Sequence, residues 1–230
     1  TLSLVGTYEE LGNIKRIRMD HTTGGLWLIG DQGVARLEGE LYEVSLFYPW
    51  GANDLISNEL GLFLATDEGM LWVDFFGRPS DPIQHQINAE SAESVIMSAR
   101  RPQDMWIGAE GGLTRANGLW SPISLPNIPC VKDTYTDPLG NLWLGTPEGL
   151  YKVNIGGEAS LLIPDDSMYA LSREGSSQLW IAGAAQVYSV GAEDSVNAYT
   201  PDGLNAPFTA IYSNGQQVWV GGANGVAYAP

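Results

Sequence analysis

Carboxylates dominate the side chains of this 230-residue chain that could do chemistry: 27 Asp and Glu stand against 11 Lys and Arg, a formal charge of −16 at pH 7. Thirteen of them fall at one end of a set of short repeated segments, with no Lys or Arg among them. Asp31, Asp67, Glu68, Glu110 and Glu148 lie in turns; Glu9, Glu10, Asp54, Glu90, Glu93, Asp165, Asp166 and Asp202 lie in links. An uncompensated acidic rim focuses negative potential and suits a metal ion, a cationic ligand or a basic partner. The plainer account is a solvated acidic surface that maintains solubility.

Trp50, in the link FYPWGAND, stands outside the repeat register beside Asn53 and Asp54. An aromatic ring next to amide and carboxylate groups can stack on a sugar ring or anchor a partner; the competing account makes it a plug between two repeats. The candidate ligand- or partner-binding set is therefore Trp50, Asn53, Asp54, Glu93, Asp31, Asp67, Glu110, Glu148, Asp165 and Asp166. If the chain is instead a lyase or hydrolase, Glu93, Asp54 and Asp133 come first as acid and base, provided burial separates their pKa values. Lys15 and Lys132 hold matching positions, each equally suited to a buried charge pair and to a ligand contact.

Other chemistries find no support. His21 and His85 have no partner at metal-binding or triad spacing, and the single Cys130 allows neither an intrachain disulfide nor a thiolate cluster. There is no G-x-S-x-G, no H-E-x-x-H and no phosphate-cradling glycine loop. No catalytic residue, cofactor or dedicated metal motif is assigned, and an axial calcium site is kept as a narrower alternative. The negative charge repels nucleic-acid backbones and anionic lipid. No apolar run of about 18 residues exists to cross a bilayer, and the N-terminal TLSLVGTYEE lacks the basic and apolar stretches of a signal peptide. The partners that remain are a protein or a small polar ligand, with no nucleic acid and no direct membrane insertion.

The elements that must position these groups repeat. Six segments stack on an aromatic anchor: LWLIG at Trp27, LFLAT at Phe63, MWIGA at Trp106, LWLGT at Trp143, LWIAG at Trp180 and VWVGG at Trp219. Both neighbours of every anchor are apolar, so each anchor strand is buried on both faces, as in a sheet sandwiched between two others. Three residues past the anchor the side chain is small: Gly30, Thr66, Ala109, Thr146, Gly183 and Gly222. Six residues past it stands Gly in five copies and Gln186 in the other, where a tight turn needs positive φ.

A period near 38 residues approaches that of a four-stranded propeller blade. The pattern predicts an all-β chain: a single six-bladed β-propeller domain over 1–230, of four-stranded antiparallel blades. It also predicts that the N-terminal strand, TLSLVGTYE, completes the last blade and closes the ring. Asp20 and Asp137, before the GG and GN turns that lead into anchor strands, are expected to accept backbone hydrogen bonds.

At residues 136–153, TDPLGNLWLGTPEGLYKV resembles the repeat of the two-component regulator propeller family, D-x-x-G-N-L-W-x-G-T-x-x-G-L. GGLWLIGDQGVARL, DMWIGAEGGLTRA and VWVGGANGVAYA carry the resemblance more loosely. It implies an exported, periplasmic or cell-surface bacterial module, of the type that serves as the sensor region of signalling proteins; the missing catalytic motifs and the regular blades make binding of a partner or ligand at the acidic loop face the leading expectation.

Overall fold

The computed structural model describes residues 8–20, 25–39, 43–58, 61–74, 92–97, 104–109, 112–117, 123–125, 128, 130–173 and 178–229. The chain divides into two compact units, Thr1–Met97 with Met105–Ser124 and Ser98–Asp104 with Leu125–Pro230.

Three antiparallel sheets build the first unit. The first comprises β1 (Ile14–Met19), β2 (Leu26–Gly30), β3 (Val34–Glu38) and β4 (Glu43–Tyr48), and the second β5 (Asp54–Asn58), β6 (Gly61–Thr66) and β7 (Gly69–Val73). The third comprises β8 (Ala92–Met97), β9 (Asp104–Ala109), β10 (Gly112–Asn117) and β11 (Ile123–Leu125). The second unit continues with β12 (Asp133–Thr136), β13 (Leu142–Thr146), β14 (Gly149–Val153) and β15 (Ala159–Pro164), then β16 (Met168–Ser172), β17 (Leu179–Gly183), β18 (Val187–Val190) and β19 (Val196–Tyr199). It ends with β20 (Phe208–Ser213), β21 (Val218–Gly222) and β22 (Gly225–Ala229). Every sheet is a meander with the anchor on its second strand, the blade of an all-β propeller.

Within each unit the anchor of one blade is covered by the next. Trp27 packs on Leu55, Leu62 and Leu64, and Phe63 on Met105 and Ile107. In the second unit Trp143 packs on Met168, Leu179 and Ile181, and Trp180 on Phe208 and Val220. Each fully buried aliphatic or aromatic side chain contributes about 1.5–3 kcal/mol, so these seams are the main cohesion between blades.

Three expectations need correction. The pattern of six uniform four-stranded blades is not met. Among the described residues the sheets β5–β7 and β20–β22 have three strands each, and in the β8–β11 sheet the described register is confined to β8 and β9. Nor, among the described residues, does an N-terminal strand complete the last blade: β22 forms its described edge, Glu9–Leu11 form a short 3-10 helix, and Thr1–Thr7 lie outside the described residues. Leu11 buries itself against Leu28, Ala35 and Leu37 and so ties the start of the described chain to the first blade. Third, the anchors are not uniformly core: Trp219 is 37% exposed, between the exposed cross-strand partners Tyr212 and Tyr228, because only the opposite face of its sheet packs on the fifth blade.

The small residue past the anchor has a cause other than blade-to-blade approach. At Gly30, Gly183 and Gly222 an added Cβ would strike Leu11, Asp166 and Asn205 with Leu204 respectively, so the link entering the blade runs across that point. Where threonine stands there, its hydroxyl works on the turn: Thr66 Oγ1 donates to the Gly69 carbonyl (2.8 Å), and Thr146 Oγ1 to that of Gly149 (2.9 Å). Gly69 and Gly149 take φ of 111° and 149°, a region costly for side chains with a Cβ. The fifth blade, with Gln186 in place of glycine, uses Asp166 instead. This carboxylate accepts from the backbone N–H of Ala185 and Gln186 and from the Tyr188 hydroxyl (2.9 Å). Burial, then that carboxylate, push the Tyr188 pKa up to about 12.

Asp137 caps the turn before β13, accepting from the Asn141 backbone N–H and side-chain amide (both 2.8 Å) and from the Trp143 indole (3.2 Å). Burial raises its pKa, but these donors outweigh burial and hold it below the ordinary carboxylate value. A carboxyl depressed in the folded state contributes stability that is present above its unfolded pKa of about 3.9 and lost as pH falls through the folded value. Asp137→Asn is therefore expected to cost about 1–2 kcal/mol at pH 7. The difference in melting temperature from the wild type should shrink steadily between pH 5 and pH 2.5; a pH-independent difference would contradict the assignment.

Candidate functional site

The link from β4 to β5 and the β2–β3 and β6–β7 turns of the first unit surround a cleft of about 360 Å³. It is lined by Lys15, Asp31, Pro49, Trp50, Gly51, Ala52, Asn53, Thr66, Asp67, Glu68 and Leu71. The backbone of the link is fixed where it enters β5: Ala52 N–H donates to the Gly30 carbonyl (3.0 Å) and Asn53 N–H to that of Ala65 (2.7 Å). Trp50, two residues before Ala52, is half-buried, its ring stacked on Tyr48 at 5.7 Å and 19°. It packs against the Trp27 core and lines the cleft, so the plug and the ligand wall are the same side chain.

A polar relay crosses the cleft. Lys15 Nζ donates to Asn53 Oδ1 (2.6 Å), and Asn53 Nδ2 donates to Asp67 Oδ1 (2.8 Å). Asn53 is 9% exposed, a neutral amide fixed between a cation and an anion. On another wall Asp31 accepts from the Asn13 side-chain amide (2.8 Å) and backbone N–H (3.0 Å). The Asn13 side chain first, then its backbone, holds the Asp31 carboxyl below the ordinary value, so it stays ionised at neutral pH. Behind the cleft Asp54, fully buried, takes both Arg18 Nε and NH2 at 2.8 Å and the Leu55 N–H at 2.9 Å.

Four residues of the sequence-derived set thus meet in one cleft: Trp50, Asn53, Asp31 and Asp67. Asp54 lies next to Asn53 in the chain but is committed to Arg18, a structural ion pair. Glu93 sits at a register shift in β8, between Ala92 and Ser94. Glu110 lies outside the described residues. Glu148, Asp165 and Asp166 belong to the second unit, where Asp166 is consumed by the β17–β18 turn. Lys15 and Glu68 complete the cleft; Lys15 was legible only as a charge with two readings. Among the described residues no group of three or more His, Cys, Asp or Glu is placed to hold a metal ion, and no helix is long and apolar enough to cross a membrane.

Blades of this construction define a β-propeller fold, and the first unit carries a polar cleft walled by an aromatic ring on its loop side. No family model and no curated protein matches the chain. Among solved structures it is similar to the extracellular domain of a Bacteroides thetaiotaomicron protein described as a hybrid two component system, BT3049. That alignment has 18% identity and a TM-score of 0.79, over 94% of this chain and 34% of that one. A second such domain, of BT4673 from the same organism, aligns at 16% identity and TM-score 0.80, over 98% and 34%. Streptogramin B lyase follows at 14% identity and TM-score 0.73, over 93% and 78%. The chain spans about a third of the length of the two-component domains. At these identities the likeness is one of fold, and extracellular domains of two-component systems agree with the resemblance carried by the repeats.

Proposed function

We propose that the chain is a non-catalytic binding module of an exported bacterial propeller protein of the sensor type, and that it takes a small polar ligand into the cleft beside Trp50. The observation that carries the reading is one concave site in which a half-buried indole, stacked on Tyr48, faces the Lys15–Asn53–Asp67 relay. A volume of about 360 Å³ suits a small molecule better than a flat protein epitope. The extracellular two-component domains of similar fold support the sensor reading.

The lyase of similar fold favours the enzymatic reading, but two of the three carboxylates this reading would use are already occupied. Asp54 is held by Arg18 and Leu55. Asp133, in the other unit, accepts from the backbone N–H of Thr134 and Leu171.

Thermal melting against a panel of neutral sugars, polyols, amino acids and polyamines tests the proposal. At least one compound is expected to raise the midpoint, by the equivalent of about 2.7 kcal/mol at a hundred times its Kd, and Trp50→Ala is expected to abolish the rise. A rise that survives Trp50→Ala, or none with any compound, would overturn it.

A further inference from the structure

The charges in the cleft narrow the chemistry of what it accepts. Asp31 has its carboxylate engaged by Asn13 through both oxygens. Asp67 spends one oxygen on Asn53, while its second oxygen and the carboxylate of Glu68 meet no protein donor among the described residues. Lys15 spends one of its three ammonium hydrogens on Asn53. The relay therefore offers an incomplete cation at one end and an incomplete anion at the other, separated by a single neutral amide.

A purely anionic guest would face Asp31, Asp67 and Glu68, and a purely cationic one would face Lys15. A guest without charge can hydrogen-bond to both ends, but it displaces their water and leaves both charges without a counter-ion. A molecule carrying its own ammonium and carboxylate a short distance apart complements both ends at once. The remaining wall, Pro49, Trp50, Ala52 and Leu71, is apolar and includes a flat ring. Resting on the cleft reading above, we infer that the ligand is a free α-amino acid with an apolar side chain. Its carboxylate lies on Lys15, its ammonium on Asp67 and Glu68, and its side chain along Trp50.

Isothermal titration of the intact chain with L-phenylalanine, N-acetyl-L-phenylalanine and L-phenylalaninamide tests this. The free amino acid is expected to bind saturably, and each blocked form at least tenfold more weakly. Lys15→Met should make the amide and the free acid bind alike, leaving the N-acetyl penalty in place; Asp67→Asn should do the reverse. Both substitutions fall on exposed residues, and unchanged melting temperatures verify that the variants fold. Absence of saturable binding by L-phenylalanine, or a blocked form that binds as well as the free one, overturns the inference. Maltotriose separates the two levels: Trp50-dependent binding of this neutral sugar without binding of the amino acid leaves the cleft as a site and removes the zwitterion.

Discussion

Arg18→Met is expected to destabilise the chain by about 3 kcal/mol, because it takes the guanidinium away from a fully buried carboxylate. Asp54 has no solvent exposure and receives two 2.8 Å bonds from the Arg18 guanidinium, whose own side chain is 37% exposed. Coupled this way, the pair is costly to break and cheap to replace. Arg18→Met together with Asp54→Leu should recover most of the loss, since a buried ion pair and an apolar pair of similar volume are often close in free energy. Urea denaturation of the wild type, the single variant and the double variant measures both. A loss under about 1 kcal/mol for Arg18→Met would mean that the pair behaves as a surface salt bridge.

Two tryptophans at the same repeat position are expected to differ several-fold in what they contribute. Trp143 is 4% exposed, packed on Met168, Leu179 and Ile181, with its indole N–H on Asp137 and the Lys152 ammonium 5.0 Å from its ring. Truncation to alanine removes that contact area and leaves a cavity, at a cost of about 3–5 kcal/mol. Trp219 is 37% exposed and has Tyr228 stacked on it at 5.0 Å. Its replacement by alanine should cost about 1 kcal/mol, the value of a partly solvated cross-strand aromatic pair. Equal costs in chemical denaturation would show that the Trp219 face is covered in solution.

Much of the blade was legible because its determinants are local and periodic. The apolar residues flanking each anchor report burial on both faces, and Leu64, Ile107, Leu144 and Ile181 have no exposed surface. The glycine of the hairpin turn reports a positive φ, found at Gly69, Gly149 and Gly225 but not at Gly33. What failed was what depends on one partner per site. Thr66 and Thr146 look merely small in the sequence, yet their hydroxyls hold the turns. Asp166 looks like one more rim acid, yet it substitutes for the missing glycine next to Gln186. Leu11, a single apolar residue between two glutamates and a glycine, gave no periodic signal, although it ties the start of the described chain to the first blade.

The site divides the same way. Trp50 stood out because it broke the period, and Asn53 and Asp67 because they sit in a link and a turn at one end of the blades. That Lys15 would reach Asn53 depends on a contact 38 residues apart along the chain, which composition does not encode. Asp54 could not be told from its neighbour Asn53 without knowing that Arg18 lies opposite it.

Gly51 joins two walls of the cleft in a way that bears on how such a protein could diversify. Its Cα lies so near the Asp31 backbone carbonyl that any added carbon would collide with it, and Trp50 is the residue immediately before. The indole and the Asp31 carboxylate consequently share one rigid mount, and even alanine at this position would pry them apart. Asp67 and Glu68, exposed at the tip of the β6–β7 turn, can be exchanged without disturbing that mount. The pivot beneath them must stay bare.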